Sequence, residues 1–245
     1  MLDALREQLL GPRYLGWLLE GWLVTLAASA CVIVAATALG LVLAAARSAP
    51  AAGWRRASSA YVTLVRNTPL LVQLFFWYFG APALLPEAAR EWLFASHTLR
   101  LGPLTAQWPS YELLCALTGL SLYGAAYVGE DIRSGLQGVP VGQGMAARAM
   151  GFTPVQVLRH VVLPQALRIA LAPLFGQYMN IVKNTSLAMA VGLAELSYAS
   201  RQVEAETFRT FQSFGIATLL YILSIGALEA LSARAVRRWP AGGPR

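Results

Sequence analysis

The sequence predicts an all-α membrane protein with five transmembrane helices, its N-terminus outside and its C-terminus in the cytoplasm. Three observations carry that expectation. Of 245 residues, 57% are hydrophobic and only 13% charged, with a mean hydropathy of +0.53, whereas a soluble domain is about a quarter charged. The apolar residues gather into runs long enough to cross a bilayer. The basic residues concentrate in the connections that would lie on one side of it.

A hydrocarbon core about 30 Å thick needs about 20 predominantly apolar residues at the helical rise. Windows of that kind lie at 22–46, 58–85, 111–128, 169–193 and 214–233. The first contains no charge. The second is interrupted near its start by Arg66 and Pro69, and the fourth carries Lys183. Polar groups at membrane depth are tolerated where they face protein or a water-filled path. Arg66, Asn67 and Thr68 before Pro69 read as a helix entrance, with Thr68 as cap and proline in the first turn.

Cationic residues mark the cytoplasmic side. With the N-terminus outside, Arg47, Arg55, Arg56, Arg66, Arg133, Arg148, Arg159, Arg168, Arg234, Arg237, Arg238 and Arg245 fall inside. The acids Asp3, Glu7, Glu20, Glu87, Glu91, Glu195, Glu204 and Glu206 fall outside, beside Arg6, Arg13, Arg90, Arg100, Arg201 and Arg209. Residues 1–21 then form an extracytoplasmic segment rather than a removable leader. Residues 22–233 form a single membrane domain, and 234–245 a cytoplasmic tail. The net charge of +7 does not indicate nucleic acid, because the basic residues fall in short clusters instead of along one polar face.

Two connections are long. The outer one, 86–110, holds Trp92 and Trp108, suited to an interfacial belt or a short surface helix. The inner one, 130–168, has no spanning run, yet Val155, Val157, Leu158, Val161 and Val162 interleave with Arg159 and His160. It predicts short amphipathic helices divided by Gly151 and Pro154 and ending before Pro164. Short helices with an apolar face at a membrane surface want a protein partner.

Within that connection Gly142, Gln143, Met145, Ala146, Ala147, Arg148 and Gly151 are followed by Leu163 and Pro164. The pattern resembles the coupling loop of permease subunits of ATP-binding-cassette importers. Two further stretches, 66–80 (RNTPLLVQLFFWYFG) and 180–188 (NIVKNTSLA), are similar to the second- and fourth-helix motifs of the polar-amino-acid branch of that family. The resemblance implies a type I importer permease fold and docking of the loop on a pair of ATPase subunits, which hold ATP and magnesium. It also implies a second permease, identical or paralogous, and an extracytoplasmic amino-acid-binding protein, all in a bacterial inner membrane. The sequence departs from the pattern at Met145, where Glu is usual, and at Gly144. A lost carboxylate at a helix start would remove about 0.3–1 kcal/mol of dipole stabilisation.

Gln177, Asn180, Lys183 and Asn184 recur at helical spacing, and with Thr185 and Ser186 they form the candidate translocation path, near which the resemblance places this region. A mid-helix cation costs about 2.5–3.5 kcal/mol unless paired or hydrated, so Lys183 should face the bundle interior; a position nearer the outer interface, or pairing with a carboxylate, is the other reading. Glu130 and Arg133 share a helix face, as a local ion pair or a latch to the coupling loop. Tyr123, Tyr127 and Phe75 to Phe79 read as packing or path. Glu195, Glu204 and Glu206 read as solvated charges or as contacts for a binding protein. His97 and His160 are expected at the surface, and Cys31 and Cys115 behave as small hydrophobes, with no metal-ligand spacing.

No phosphate-cradling glycine loop followed by Lys and Ser or Thr occurs, so no ATPase site is expected in the chain. An ion-coupled secondary amino-acid transporter would show inverted repeats and more intramembrane carboxylates, whereas Glu229 is the only acid well inside a window.

Overall fold

The computed structural model describes residues 10–101 and 104–239. Asp3, Arg6, Glu7 and Arg245 lie outside the described residues. Pro12 opens helix α1 (Pro12–Ser48), a first-turn position where its missing N–H costs nothing. Pro50 ends that run by forcing the residue before it out of the helical region. The next helix, α2 (Ala52–Arg66), buries a narrow stripe of Ser58, Val62 and Val65 at i, i+4, i+7 spacing.

The second window is therefore not one helix. It breaks at Pro69, which takes an extended ψ of 136° as N-cap, and α3 runs Leu70–Ala83 beyond it. Thr68 is not the cap; its carbonyl accepts from Gln73 Nε2 at 2.9 Å. The remaining helices are α4 (Glu87–Phe94), α5 (Tyr111–Gln137), α6 (Val141–Ala149), α7 (Pro154–Val191), α8 (Leu196–Thr207) and α9 (Thr210–Arg238). Among the described residues, α1, α5, α7 and α9 are each long and apolar enough to cross a membrane, and α3 is a shorter apolar helix.

Between α4 and α5 the chain forms a two-stranded antiparallel hairpin, β1 (Thr98–Leu101) with β2 (Leu104–Gln107), pairing Thr98 with Gln107. The outer connection thus adds a small β element to the expected surface helix. It closes on itself: Trp108 N donates to the His97 carbonyl at 2.8 Å, and Trp92 stacks on His97 at 4.6 Å.

Two helices widen into a π turn just before a proline. In α3 the turn Phe76–Gly80 precedes Pro82, and in α7 the turn Leu158–Val162 precedes Pro164. Proline removes a hydrogen bond and crowds the carbonyl four residues back, which is Tyr78 in one case and His160 in the other. A π turn re-registers the ladder around that carbonyl. The helix expected to end before Pro164 consequently does not stop there; it continues as the long helix α7.

The chain divides into two compact units. One comprises Ile33–Asn67, Leu122–Ile181 and Leu223–Arg245. Here α5 packs on α1 through small residues: a Cβ on Gly40 would lie 3.0 Å from Gly129 N, a contact only glycine permits. The other comprises Met1–Val32, Thr68–Ser121 and Val182–Ile222. Its core joins Leu18, Leu196, Ala199, Val203 and Ala217.

Candidate functional site

The segment between α5 and α7 is built as a capped helical hairpin. α6 ends in a Schellman motif: Gly151 adopts a φ of +88°, Gly151 N donates to the Arg148 carbonyl at 2.9 Å, and Phe152 N to the Ala147 carbonyl at 3.1 Å. The chain then re-enters a helix at once. Thr153 caps α7 through Gln156 N at 3.3 Å, and Gln156 Oε1 accepts from Thr153 N at 2.8 Å, a reciprocal capping box. Pro154 follows at the first helical position. Ala147 is the buried residue of α6 and Val157 that of the first turn of α7.

What the hairpin exposes is as informative as what it buries. Val141, Met145, Met150 and Val155 are 77%, 62%, 77% and 72% exposed, and Arg148 and Gln143 also lie on the surface. The hairpin thus presents two valines, two methionines and one arginine to solvent. Met145 is the fifth residue of α6, not its first. The expected loss of a helix-start carboxylate therefore does not apply, because the dipole acts within the first turn. Leu163 and Pro164, predicted as a stop, lie at the start of the continuous helical stretch beyond the π turn.

Glu130 organises the C-terminal part of α5. Arg133 approaches both of its carboxylate oxygens, at 3.0 and 3.1 Å, and Arg133 Nη1 reaches Gln137 at 2.6 Å. Arg47 at the end of α1 also donates to Glu130, and Arg66 at the end of α2 lies 3.8 Å away while its guanidinium sits 5.1 Å from the Tyr127 ring centre. The carboxylate thus ties α5 to α1 and α2, and not, as the latch reading had it, to the coupling loop. Tyr123 and Tyr127 join hydroxyls at 3.0 Å and pack on the Val62, Val65 and Ala126 cluster.

The predicted polar stripe on α7 is only partly interior. Gln177 is half-buried and faces Asp131, whose Oδ2 is buried without a hydrogen-bond partner among the described residues. Asn180 is exposed. Beyond it, Lys183 is exposed on this chain and does not face the chain's own interior as expected. Thr185 is fully buried and donates to the Val182 carbonyl at 2.7 Å, and Ser186 to the Lys183 carbonyl at 2.7 Å. These two hydroxyls serve their own helix. Asp131 had no signal in the sequence, since its proximity to Gln177 is a tertiary contact.

Glu195 is not a solvated outer charge. It is fully buried and caps α8 through Tyr198 N at 2.9 Å, while Tyr221 donates to it at 2.8 Å and Thr25 lies 3.3 Å away. Burial pushes its carboxyl above the ordinary range, partly opposed by these hydrogen bonds. Glu206 is exposed and Glu204 half-buried.

The chain thus combines long apolar helices with a capped, exposed hairpin between α5 and α7. The chain belongs to the family described as binding-protein-dependent transport system inner membrane component, which matches residues 36–239, and is thereby a permease of ATP-binding-cassette importers. It is 37% identical over 210 residues to the glutamate/aspartate import permease protein GltJ of Escherichia coli, covering 86% of this chain and 82% of that one. It is 34% identical over 213 residues to the probable glutamine ABC transporter permease protein GlnM of Bacillus subtilis, covering 85% and 88%. Among solved structures, an amino acid ABC transporter with histidines matches with a TM-score of 0.77 at 24% identity, over 92% of this chain and 95% of that one. The inward-facing MetNI methionine ABC transporter matches with a TM-score of 0.73 at 20% identity, over 94% and 99%. These two likenesses establish the fold.

Proposed function

We propose that this chain is the membrane subunit through which a bacterial importer moves polar amino acids across the inner membrane, with ATP hydrolysed on a separate pair of ATPase subunits. ATP and magnesium would sit on those subunits and none on this chain. The observation that carries the reading is the α6 hairpin, whose Schellman turn and capping box make it stiff enough to transmit motion as a rigid body while its methionine and Arg148 face stays exposed. The substrate class is supported by the relatives' names, one a glutamate/aspartate import permease and the other a probable glutamine ABC transporter permease.

In this reading the N-terminus is outside and the C-terminus cytoplasmic, five spans cross the bilayer with α2 and α3 making the second, and a second permease completes the pore. An extracytoplasmic binding protein delivers the amino acid. Exposed Asn180 and Lys183, with Gln177 and Asn184, line the path on the face turned to the second permease, where hydration meets the cost of a cation at membrane depth. The test is reconstitution with the ATPase and binding protein from the same operon. Uptake that requires ATP, survives ionophores, and is accompanied by a crosslink from Arg148→Cys to the ATPase supports the proposal. Uptake abolished by ionophores, or no crosslink under turnover, overturns it.

A further inference from the structure

At the end of α9, Arg234, Arg238 and Trp239 stand beside Leu171 and Leu231 around a cavity of about 520 Å³. Trp239 also borders a second cavity of about 430 Å³ with Leu163, Leu167 and Arg168. Next to them along α7 lies an almost wholly apolar cavity of about 430 Å³, which shares Leu171 as a lining residue with the first and Leu163 and Leu167 with the second. Three exposed guanidiniums thus gather around one exposed tryptophan at the mouth of an apolar groove. None of the three forms an ion pair among the described residues, whereas Arg47, Arg66 and Arg133 all lie within 4 Å of Glu130.

We infer that this is a binding site for an anionic phospholipid, with the headgroup phosphate between Arg168, Arg234 and Arg238 and an acyl chain along Leu171, Leu174 and Phe175. It rests on the proposal that α9 crosses the bilayer. The chemistry is specific in three respects. Guanidinium forks match phosphate oxygens bidentately. Tryptophan favours the headgroup level, where one edge is wet and the other apolar. A free anion would satisfy the arginines but not the groove, whereas a lipid satisfies both. Basic pockets at the ends of membrane helices are where anionic headgroups are held.

The full chain, purified in detergent, is titrated with phosphatidylglycerol, phosphatidylcholine or inorganic phosphate, and lipid retention is read by native mass spectrometry. Phosphatidylglycerol should be retained and phosphatidylcholine not. The triple change Arg168→Gln, Arg234→Gln and Arg238→Gln should weaken retention on the order of a hundredfold. The pair Arg55→Gln and Arg56→Gln, on α2, should leave it at the parental level. Parental retention by the triple variant, equal loss in the α2 pair, or displacement by millimolar inorganic phosphate would each overturn the site. If the triple variant does not fold, brominated phosphatidylglycerol decides: the inference requires a quenched tryptophan component that disappears in Trp239→Phe, and fails if that component stays. No ATPase or uptake enters these measurements, so their failure is separate from failure of the importer reading.

Discussion

The amide of Phe152 donates to the carbonyl of Ala147 at 3.1 Å, and that bond closes α6 and turns the chain straight into α7. It depends on Gly151, whose φ of +88° favours a residue without a Cβ. A Cβ there would meet nothing within 4 Å, so Gly151→Ala tests the backbone alone. It should cost about 1 kcal/mol of local stability and loosen the hairpin. The measurement is ATPase activity of the reconstituted complex with and without binding protein: stimulation should fall while basal hydrolysis is kept. Undiminished stimulation would show that hairpin stiffness is not needed.

Met145→Glu should be silent by comparison. The side chain is 62% exposed in the middle of α6, and surface changes away from caps usually stay within about 0.5 kcal/mol. Thermal unfolding in detergent and uptake should both match the parent. A large drop in uptake with unchanged unfolding would mean that the ATPase cleft contacts this position with an acid of its own.

Glu195 predicts a pH dependence. Its folded-state pKa is raised above the ordinary 4.5, first by burial. The folded chain therefore binds this proton more tightly than the unfolded chain does. Stability from the neutral acid is full below about 4.5 and is lost as pH rises through the elevated folded-state value. Glu195→Gln, neutral throughout, should flatten that part of the unfolding-temperature profile. Glu195→Ala should cost about 2 kcal/mol, combining a lost cap with a Tyr221 hydroxyl that keeps only its 3.2 Å contact with Ser197 Oγ. A parental profile that is flat across this range would refute the assignment.

The Glu130 cluster predicts unequal losses. Glu130→Gln leaves Arg47, Arg66 and Arg133 side by side without their common carboxylate and should cost about 2 kcal/mol. Arg66→Ala should cost under about 1 kcal/mol, since its contact is 3.8 Å long and its side chain 44% exposed. A double-mutant cycle between Glu130 and Arg47 separates the pair from the network.

The legible parts of the fold were those written in local chemistry. The long apolar helices α1, α5, α7 and α9, the division of the α5–α7 connection at Gly151 and Pro154, and the short helix that holds Trp92 follow from composition and from residues with fixed backbone preferences. Where the sequence misled, a tertiary contact or a change of helical register had intervened. Pro164 looked like a stop because proline normally interrupts the ladder; the π turn Leu158–Val162 carries the helix past it. The same happens at Pro82, where Tyr111 donates its hydroxyl toward the Tyr78 carbonyl at 2.9 Å, a partner remote in sequence. Glu195 looked solvated because it lies among Gly, Ala and polar residues, and its burial depends on Thr25 and Tyr221, neither of which is near it in the chain. Among candidate site residues, the hairpin was readable as a pattern, whereas which face Lys183 presents was not, because polar spacing locates a stripe without saying which neighbour it meets.

Phe208 supplies a last prediction in the stabilising direction. It ends α8 in the left-handed region, with a φ of 56°, and is the only non-glycine residue among those described to do so. Its ring is 86% exposed, so no packing within this chain explains an aromatic there. A left-handed backbone costs an ordinary residue about 1 kcal/mol, and asparagine or glycine less. Phe208→Asn should therefore raise the unfolding temperature of the purified chain, while the Phe208 N to Glu204 carbonyl bond of 2.7 Å is kept. If uptake then falls although stability rises, the exposed ring is held in a strained pose for a partner. If stability falls instead, the ring packs on something in the detergent-solubilised chain and the strain argument is wrong.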